Sequence, residues 1–309
     1  MIAPLVDRAQ SPSGAEDRDL TQAGIENAVH HERIDDVADD ARRESRRSPP
    51  RDRARGRSRV QSYANPSFGR LGPVKVEPPA PTNDIVGARA AHQSLLRTAH
   101  TLVDSDIRRP SLLPDWTVGH VLTHLARNSD GHCNMFEGAT RGEVFAQYPG
   151  GMAQRVDEIE QGARRSASEI VDDLEVTIAR LEARWDATTD EVWATGRCRS
   201  FSGEMTIAIQ PFRRWREVEI HHHDLGTTFS WRDWSEAYTM RELETTIATL
   251  GPRLDRDAIA LRATDSAHVW TVPENSCSVI EVRAPRRQLL AWLVGRYDDP
   301  YYPKLGPWL

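Results

Sequence analysis

Trp215-Arg216-Glu217-Val218-Glu219-Ile220-His221-His222-His223-Asp224-Leu225 is the stretch on which the reading of this chain turns. At about 100° per residue, Trp215, Val218 and Leu225 form one apolar stripe with His222 beside it, so the segment reads as a helix. Glu217/His221 and Glu219/His223 each stand four residues apart, one helical turn, and lie on opposite flanks of that stripe. A divalent ion can bridge a carboxylate and an imidazole so placed, and zinc accepts such mixed ligation. Asp224 shares the flank of Glu217 and His221 and can orient a ligand there. Periodicity alone leaves both pairs open, along with a plain acidic and histidine face that binds nothing.

One pair is not a site, so a second helix must bring another ligand. Trp116-Thr117-Val118-Gly119-His120-Val121-Leu122-Thr123-His124-Leu125-Ala126 offers His120 and His124, again four apart, and either or both can face the centre of a bundle. His132 lies about 80° further round the helix than His124 and is a weaker candidate.

Working outward, Asn83-Asp84 reads as the N-cap of a first long helix carrying Ile85, Ala88, Ala91, Leu95, Leu96, Ala99, Leu102 and Val103. Pro110 and Pro114 mark a loop, and Asp115 or Thr117 caps the second helix. Tyr148-Pro149-Gly150-Gly151 breaks the chain again. A third helical region runs over 152–187 with an interruption near Ser166–Ser168, and its second part bears Ile170, Leu174, Ile178, Leu181 and Trp185. A connector with Gly196 and Gly203 leads to the fourth helix, 211–225. Four helices joined in this way predict an antiparallel bundle. After Gly226 the pattern changes. A linker at Trp231–Trp234 precedes a helix capped by Ser235, then short β-type runs at 258–262, 269–272 and 278–282, then a helix opened by Pro285. Helix, strands and helix read as a small α+β domain. The expected fold class is mainly α, divided into a tail (1–82), a metal-binding bundle (83–230) and an α+β domain (231–309).

The chain has 309 residues, 39% hydrophobic and 28% charged, with a net charge of −6. Residues 41–60 hold nine arginines, two acidic residues and three apolar ones, too few to offset the chain entropy of folding. The basic, Pro-rich tail therefore reads as disordered. No aromatic residue interleaves with its arginines, which disfavours a nucleic-acid partner and favours a solvated tail or translated upstream sequence. Cys133, Cys198 and Cys277 are sparse and unpaired in pattern, as in a reducing cytoplasm. No run reaches the roughly 18 to 20 apolar residues that span a bilayer. A cytoplasmic protein with no membrane partner is expected.

The run Leu113-Pro114-Asp115-Trp116-Thr117-x-Gly119-His120-Val121-Leu122-x-His124-Leu125-Ala126-Arg127-Asn128 resembles the second helix of the mycothiol-dependent maleylpyruvate isomerases, a branch of the DinB-like metal-binding bundles. So do Glu137-Gly138-Ala139, Tyr148-Pro149 and Arg155-x3-Ile159-x2-Gly162-Ala163 in the segments that follow. Arg216-Glu217-x3-His221-His222-x-Asp224-Leu225-Gly226 resembles that family's fourth helix. Trp292-Leu293-x-Gly295-Arg296 and Pro303-x-Leu305-x-Pro307-Trp308 resemble the end of its small sterol-carrier-like domain. The resemblance covers about 85–309 and excludes the tail.

The resemblance implies a DinB-like four-helix bundle followed by a small α+β domain. It selects His124, Glu217 and His221 as zinc ligands and leaves His120, His222, His223 and Glu219 as helix-face or supporting residues. It marks Arg296 as catalytic and as a holder of substrate or thiol, and Arg155 as a further cofactor-binding residue. The implied cofactors are zinc, or another divalent metal, and mycothiol, a low-molecular-weight thiol. The implied activity is cis–trans isomerisation of maleylpyruvate, a dicarboxylate, to fumarylpyruvate, a step of aromatic degradation. The thiolate adds reversibly to the double bond. The same ligands would serve a mycothiol-dependent S-transferase on another electrophile, or a non-catalytic metal or ligand sensor.

Overall fold

The computed structural model of the chain describes residues 80–201, 203–254, 258–273 and 279–308. The basic tail read at 1–82 thus lies outside the described residues up to position 79, as does Cys277.

The first helix, α1, spans Thr82–Ala99 and buries Ala88, Ala91, His92, Leu95 and Ala99 at helical spacing. Asn83-Asp84 does not cap it. The helix begins one residue earlier, behind Pro81, whose carbonyl accepts from the Ile85 N–H at 3.0 Å. Asp84 lies in the first turn, where a carboxylate is favoured by the helix dipole. The helix also stops short of Leu102 and Val103. Val103 is exposed and precedes a single short turn of helix, α2, Asp104–Ile107.

Helix α3, Val118–Thr140, is capped by Thr117, whose Oγ accepts from the His120 N–H. Asp115 takes no part in the cap. It sits at φ 63°, in the left-handed region, and turns the chain ahead of the helix. The third helical region divides as the serines suggested, into α4, Gly151–Gly162, and α5, Ala167–Ala187. Ser166 and Glu169 form a reciprocal cap at the start of α5, with the Ser166 N–H donating to Glu169 Oε2 at 2.9 Å. Ser166→Ala is expected to cost about 1 kcal/mol of stability, measurable as a lower urea midpoint at unchanged slope.

The connector around Gly196 and Gly203 is more ordered than a loop. It forms a short helix, α6, Asp190–Thr195, and an antiparallel hairpin of β1, Arg197–Ser200, and β2, Gly203–Thr206. Cys198 and Met205 face each other across the hairpin and are both buried. Strands of four residues with only one core-facing side chain each carry too short an alternation to be read from sequence.

Helix α7, Gln210–Asp224, has Pro211 in its first turn, where the missing N–H costs nothing. Every residue of α7 except His223 is buried. The bundle is a closed ring in which α1 packs on α7, α7 on α3, α3 on α5, and α5 back on α1. After α7, Ser235 caps α8, Glu236–Ala248, as expected, through the Tyr238 N–H. A three-stranded sheet follows, β3 (Ile259–Ala263), β4 (Val269–Val272) and β5 (Ile280–Ala284), then α9, Arg286–Leu293, directly after Pro285. Central β3 pairs antiparallel with β4 and parallel with β5, with Leu261 opposite Trp270 and Val282. β3 and β5 fall one and two residues later than the expected 258–262 and 278–282, while β4 falls at 269–272 as expected.

Buried polar contacts tie this C-terminal part to α7. Arg216 grips Glu242 of α8 through Nε and a terminal nitrogen at 2.8 and 2.9 Å. The indole N–H of Trp234 donates to the Glu219 carbonyl at 3.0 Å. Arg296, just beyond α9, reaches Asp224 at the end of α7.

Candidate metal centre

Helices α3 and α7 are neighbours in the ring, and their inward faces bring His124, Glu217 and His221 together. One ligand atom from each lies within 4.8 Å of the others. His124 Nε2 is 2.9 Å, and His221 Nε2 3.6 Å, from the same carboxylate oxygen, Glu217 Oε2. The two imidazole rings meet edge to face with centroids 4.8 Å apart. All three side chains are buried. The other Glu/His pair goes elsewhere. Glu219 Oε1 accepts from the Trp215 indole at 3.1 Å, and His223 packs against Trp234. The solvent-facing alternative does not hold for α7, because the C-terminal part covers the side that a bundle alone would expose.

The donor set suits a divalent ion. His221 Nδ1 donates to Asp224 Oδ2 at 3.0 Å, which turns Nε2 toward Glu217 Oε2, 3.6 Å away. Asp224 is in turn gripped by Arg296, Nε to Oδ1 at 3.1 Å and a terminal nitrogen to Oδ2 at 2.7 Å. Burial alone would raise the Asp224 pKa. The Arg296 guanidinium and the His221 hydrogen bond overcome it and hold the carboxyl well below the usual carboxylate range.

His124 is arranged differently. Burial first, then the charge of Arg155, holds its pKa well below the ordinary imidazole value, so the ring is neutral. Arg155, fully buried on α4, lies 3.0 Å from His124 Nδ1. A guanidinium can only donate. Nδ1 therefore accepts, and Nε2 carries the hydrogen directed at Glu217. An ion held at Nε2 would require the other tautomer of the neutral ring, with the hydrogen on Nδ1.

The Leu113–Thr117 turn closes one side of the centre. The Trp116 ring lies 5.6 Å from that of His124, and the Leu112 N–H donates to the Asp224 carbonyl at 2.8 Å. Gly119 allows this close assembly, since a Cβ there would stand 3.2 Å from the carbonyls of Ile107 and Ala163. His120 is outside the triad, bonded to Thr117 and near Glu160. His132 is also buried but lies outside the triad.

Sequence reading missed a buried polar hub beside the triad. Arg214 donates to His92 Nε2 at 3.0 Å, to the Leu125 carbonyl at 2.9 Å and to Asn128 Oδ1 at 2.8 Å. The available signal was its position three residues before Glu217 on the same helix face. His92 donates its Nδ1–H to Glu182 Oε1 at 2.7 Å, and burial, the largest influence, lowers its pKa to about 4. The unfolded chain takes up a proton near pH 6.5 that folded His92 refuses until about pH 4. Its contribution is fully present above pH 6.5 and is lost as pH falls to about 4. Buried Glu219, raised to about 7 by desolvation, acts in the opposite sense. The two are separated by one comparison. His92→Gln should show a shallower loss of unfolding free energy between pH 6.5 and 4 than the wild type, measured by urea titration at each pH.

Residues 88–226 match the family model described as Mycothiol maleylpyruvate isomerase N-terminal domain. Two solved structures resemble the fold. The crystal structure of the mycothiol-dependent maleylpyruvate isomerase superposes with a TM-score of 0.62 at 23% identity, covering 71% of this chain and 90% of that one. A histidine-to-alanine mutant of that enzyme gives 0.63 at 21% identity, covering 70% and 90%. None of the curated protein sequences matches the chain.

Proposed function

The chain belongs, through residues 88–226, to the mycothiol maleylpyruvate isomerase family, and from that premise we propose that it is a zinc- and mycothiol-dependent cis–trans isomerase converting maleylpyruvate to fumarylpyruvate. The observation that carries this reading is the convergence of His124, Glu217 and His221 on one buried point. Three protein ligands are the arrangement of catalytic zinc, which keeps a further position for a reactant. A bound divalent ion would supply a Lewis-acid position that favours the thiolate of a low-molecular-weight thiol such as mycothiol, the nucleophile whose reversible addition allows a cis double bond to turn.

The chain's own residues do the holding. His124, Glu217 and His221 would bind the ion. Asp224 fixes the tautomer of His221, and Arg296 fixes Asp224, so Arg296 acts as a positioning residue. Arg155 is the buried positive charge next to His124, stacked 5.7 Å over the Tyr148 ring, and is our candidate for holding an anionic group of substrate or thiol. The same reading divides the chain into the bundle at 83–230 and the smaller domain at 231–309. No described helix is long and apolar enough to cross a membrane.

The test is an absorbance assay of maleylpyruvate isomerisation with and without mycothiol, on the wild type and Glu217→Ala. Turnover that requires both mycothiol and Glu217 supports the proposal. Consumption of thiol into a stable adduct would reassign the chain as an S-transferase, and no turnover with either thiol or substrate would leave the sensor reading.

A further inference from the structure

On the side of α7 turned away from the metal centre lies a groove that the proposed reaction does not use. It encloses about 650 Å3 between α1, α7, the start of α8 and the segment carrying Phe229 and Asp233. At about 100° per residue, Glu219 projects roughly 200° round the helix from Glu217, so the two sites occupy opposite faces. The floor of the groove includes Trp215 and Glu219 of α7 and Gly87 of α1. A Cβ at position 87 would stand 2.4 Å from the Trp215 ring, so glycine is what lets the indole lie against α1.

The charge of this groove is one-sided. Asp84, Glu219, Asp233 and Glu244 line it, against a single guanidinium, that of Arg241. Arg241 is already committed, bidentate to Asp84 at 3.1 and 3.3 Å and stacked 3.8 Å over Phe212. Glu219, Asp233 and Glu244 have no paired cation among the described residues.

Glu219 is the decisive group. It is only 6% exposed. Its Oε1 takes the Trp215 N–H, while nothing among the described residues donates to Oε2. A carboxylate taken from water with one oxygen unmatched is costly unless a donor arrives. The aromatic wall defines what kind of donor. Trp215 is joined there by Phe229, itself fixed by stacking on His222 with centroids 3.7 Å apart. Carboxylate and aromatic faces together recognise an alkylammonium group better than a hydrated metal ion. The volume is that of a small-molecule site.

We propose that this groove binds an organic monocation, a protonated amine with an apolar body, its ammonium on Glu219 and its body against Trp215 and Phe229. The test is isothermal titration of the full chain at pH 8 with benzylamine, and with benzyl alcohol as the uncharged counterpart. Benzylamine should bind at one site at least about tenfold more tightly than benzyl alcohol. Glu219→Gln should abolish that preference. Ala90→Phe, which fills the mouth of the groove from an exposed position of α1, should weaken both ligands. Absence of benzylamine binding to the wild type, or equal binding to the wild type and Glu219→Gln, would overturn the proposal. Should Glu219→Gln fail to fold, Ala90→Phe decides alone, and unchanged benzylamine affinity in that variant would overturn it as well.

Discussion

On the proposed function, replacing His124 with alanine is expected to leave the purified protein without a divalent ion and to end isomerase activity. His124 is the sole ligand from α3, so its loss leaves Glu217 and His221 as a two-ligand site on one helix. Loss of an outer partner of a metal ligand typically weakens affinity about 10- to 100-fold, and loss of a ligand itself should exceed that. Metal content measured by mass spectrometry after gel filtration should fall from about one ion per chain to below about a tenth. Far-ultraviolet circular dichroism checks that the fold survives the substitution. His120→Ala and His132→Ala serve as controls. Both histidines share α3 with His124, but neither reaches Glu217, so both variants should keep the ion. Full retention of metal in His124→Ala would sink the triad.

Asp224→Asn is expected to damage both stability and metal affinity, by one mechanism. The carboxylate simultaneously receives the His221 N–H and the two nitrogens of Arg296. The amide keeps the shape and withdraws the charge. The Arg296 guanidinium, 11% exposed, then loses its counterion, a change that costs about 3–5 kcal/mol when a buried partner is removed outright. An amide that still accepts one hydrogen bond should fall toward the lower end of that range. His221 meanwhile loses the group that fixes its tautomer, for which about a 10- to 100-fold weaker ion is expected. Urea unfolding and a competitive chelator titration measure the two effects separately. A variant with wild-type values in both would show that Arg296 and Asp224 do not support the centre.

The elements that position the site were legible because each carries a local physical signature. The apolar stripe of 170–185, the Thr117 and Ser235 caps and the Ser166 break are all set by residues within a turn or two of one another. Choosing Glu217/His221 over Glu219/His223 was beyond periodicity, since both pairs flank the same stripe symmetrically. What separates them is tertiary. The ring of the bundle places α3 beside one flank, while α8 and Trp234 cover the other. Covering by a later part of the chain also explains why α7 looked amphipathic and is in fact enclosed. Arg296 was identified by resemblance as a functional residue, but its bond to Asp224, 72 positions away, has no local signal at all. The hairpin at Arg197–Thr206 escaped notice for the opposite reason, being too short for its alternation to repeat.

The enclosure of α7 also bears on how the protein comes apart. A helix with fourteen of its fifteen residues buried cannot release one neighbour without uncovering charged groups that the other still needs. Arg216 and Asp224 point to the C-terminal part, while Glu217 and Arg214 point into the bundle. The two halves should therefore open together rather than in sequence, with a single cooperative transition. The amides of α7 should be the last to exchange with deuterium, at the free energy of global unfolding.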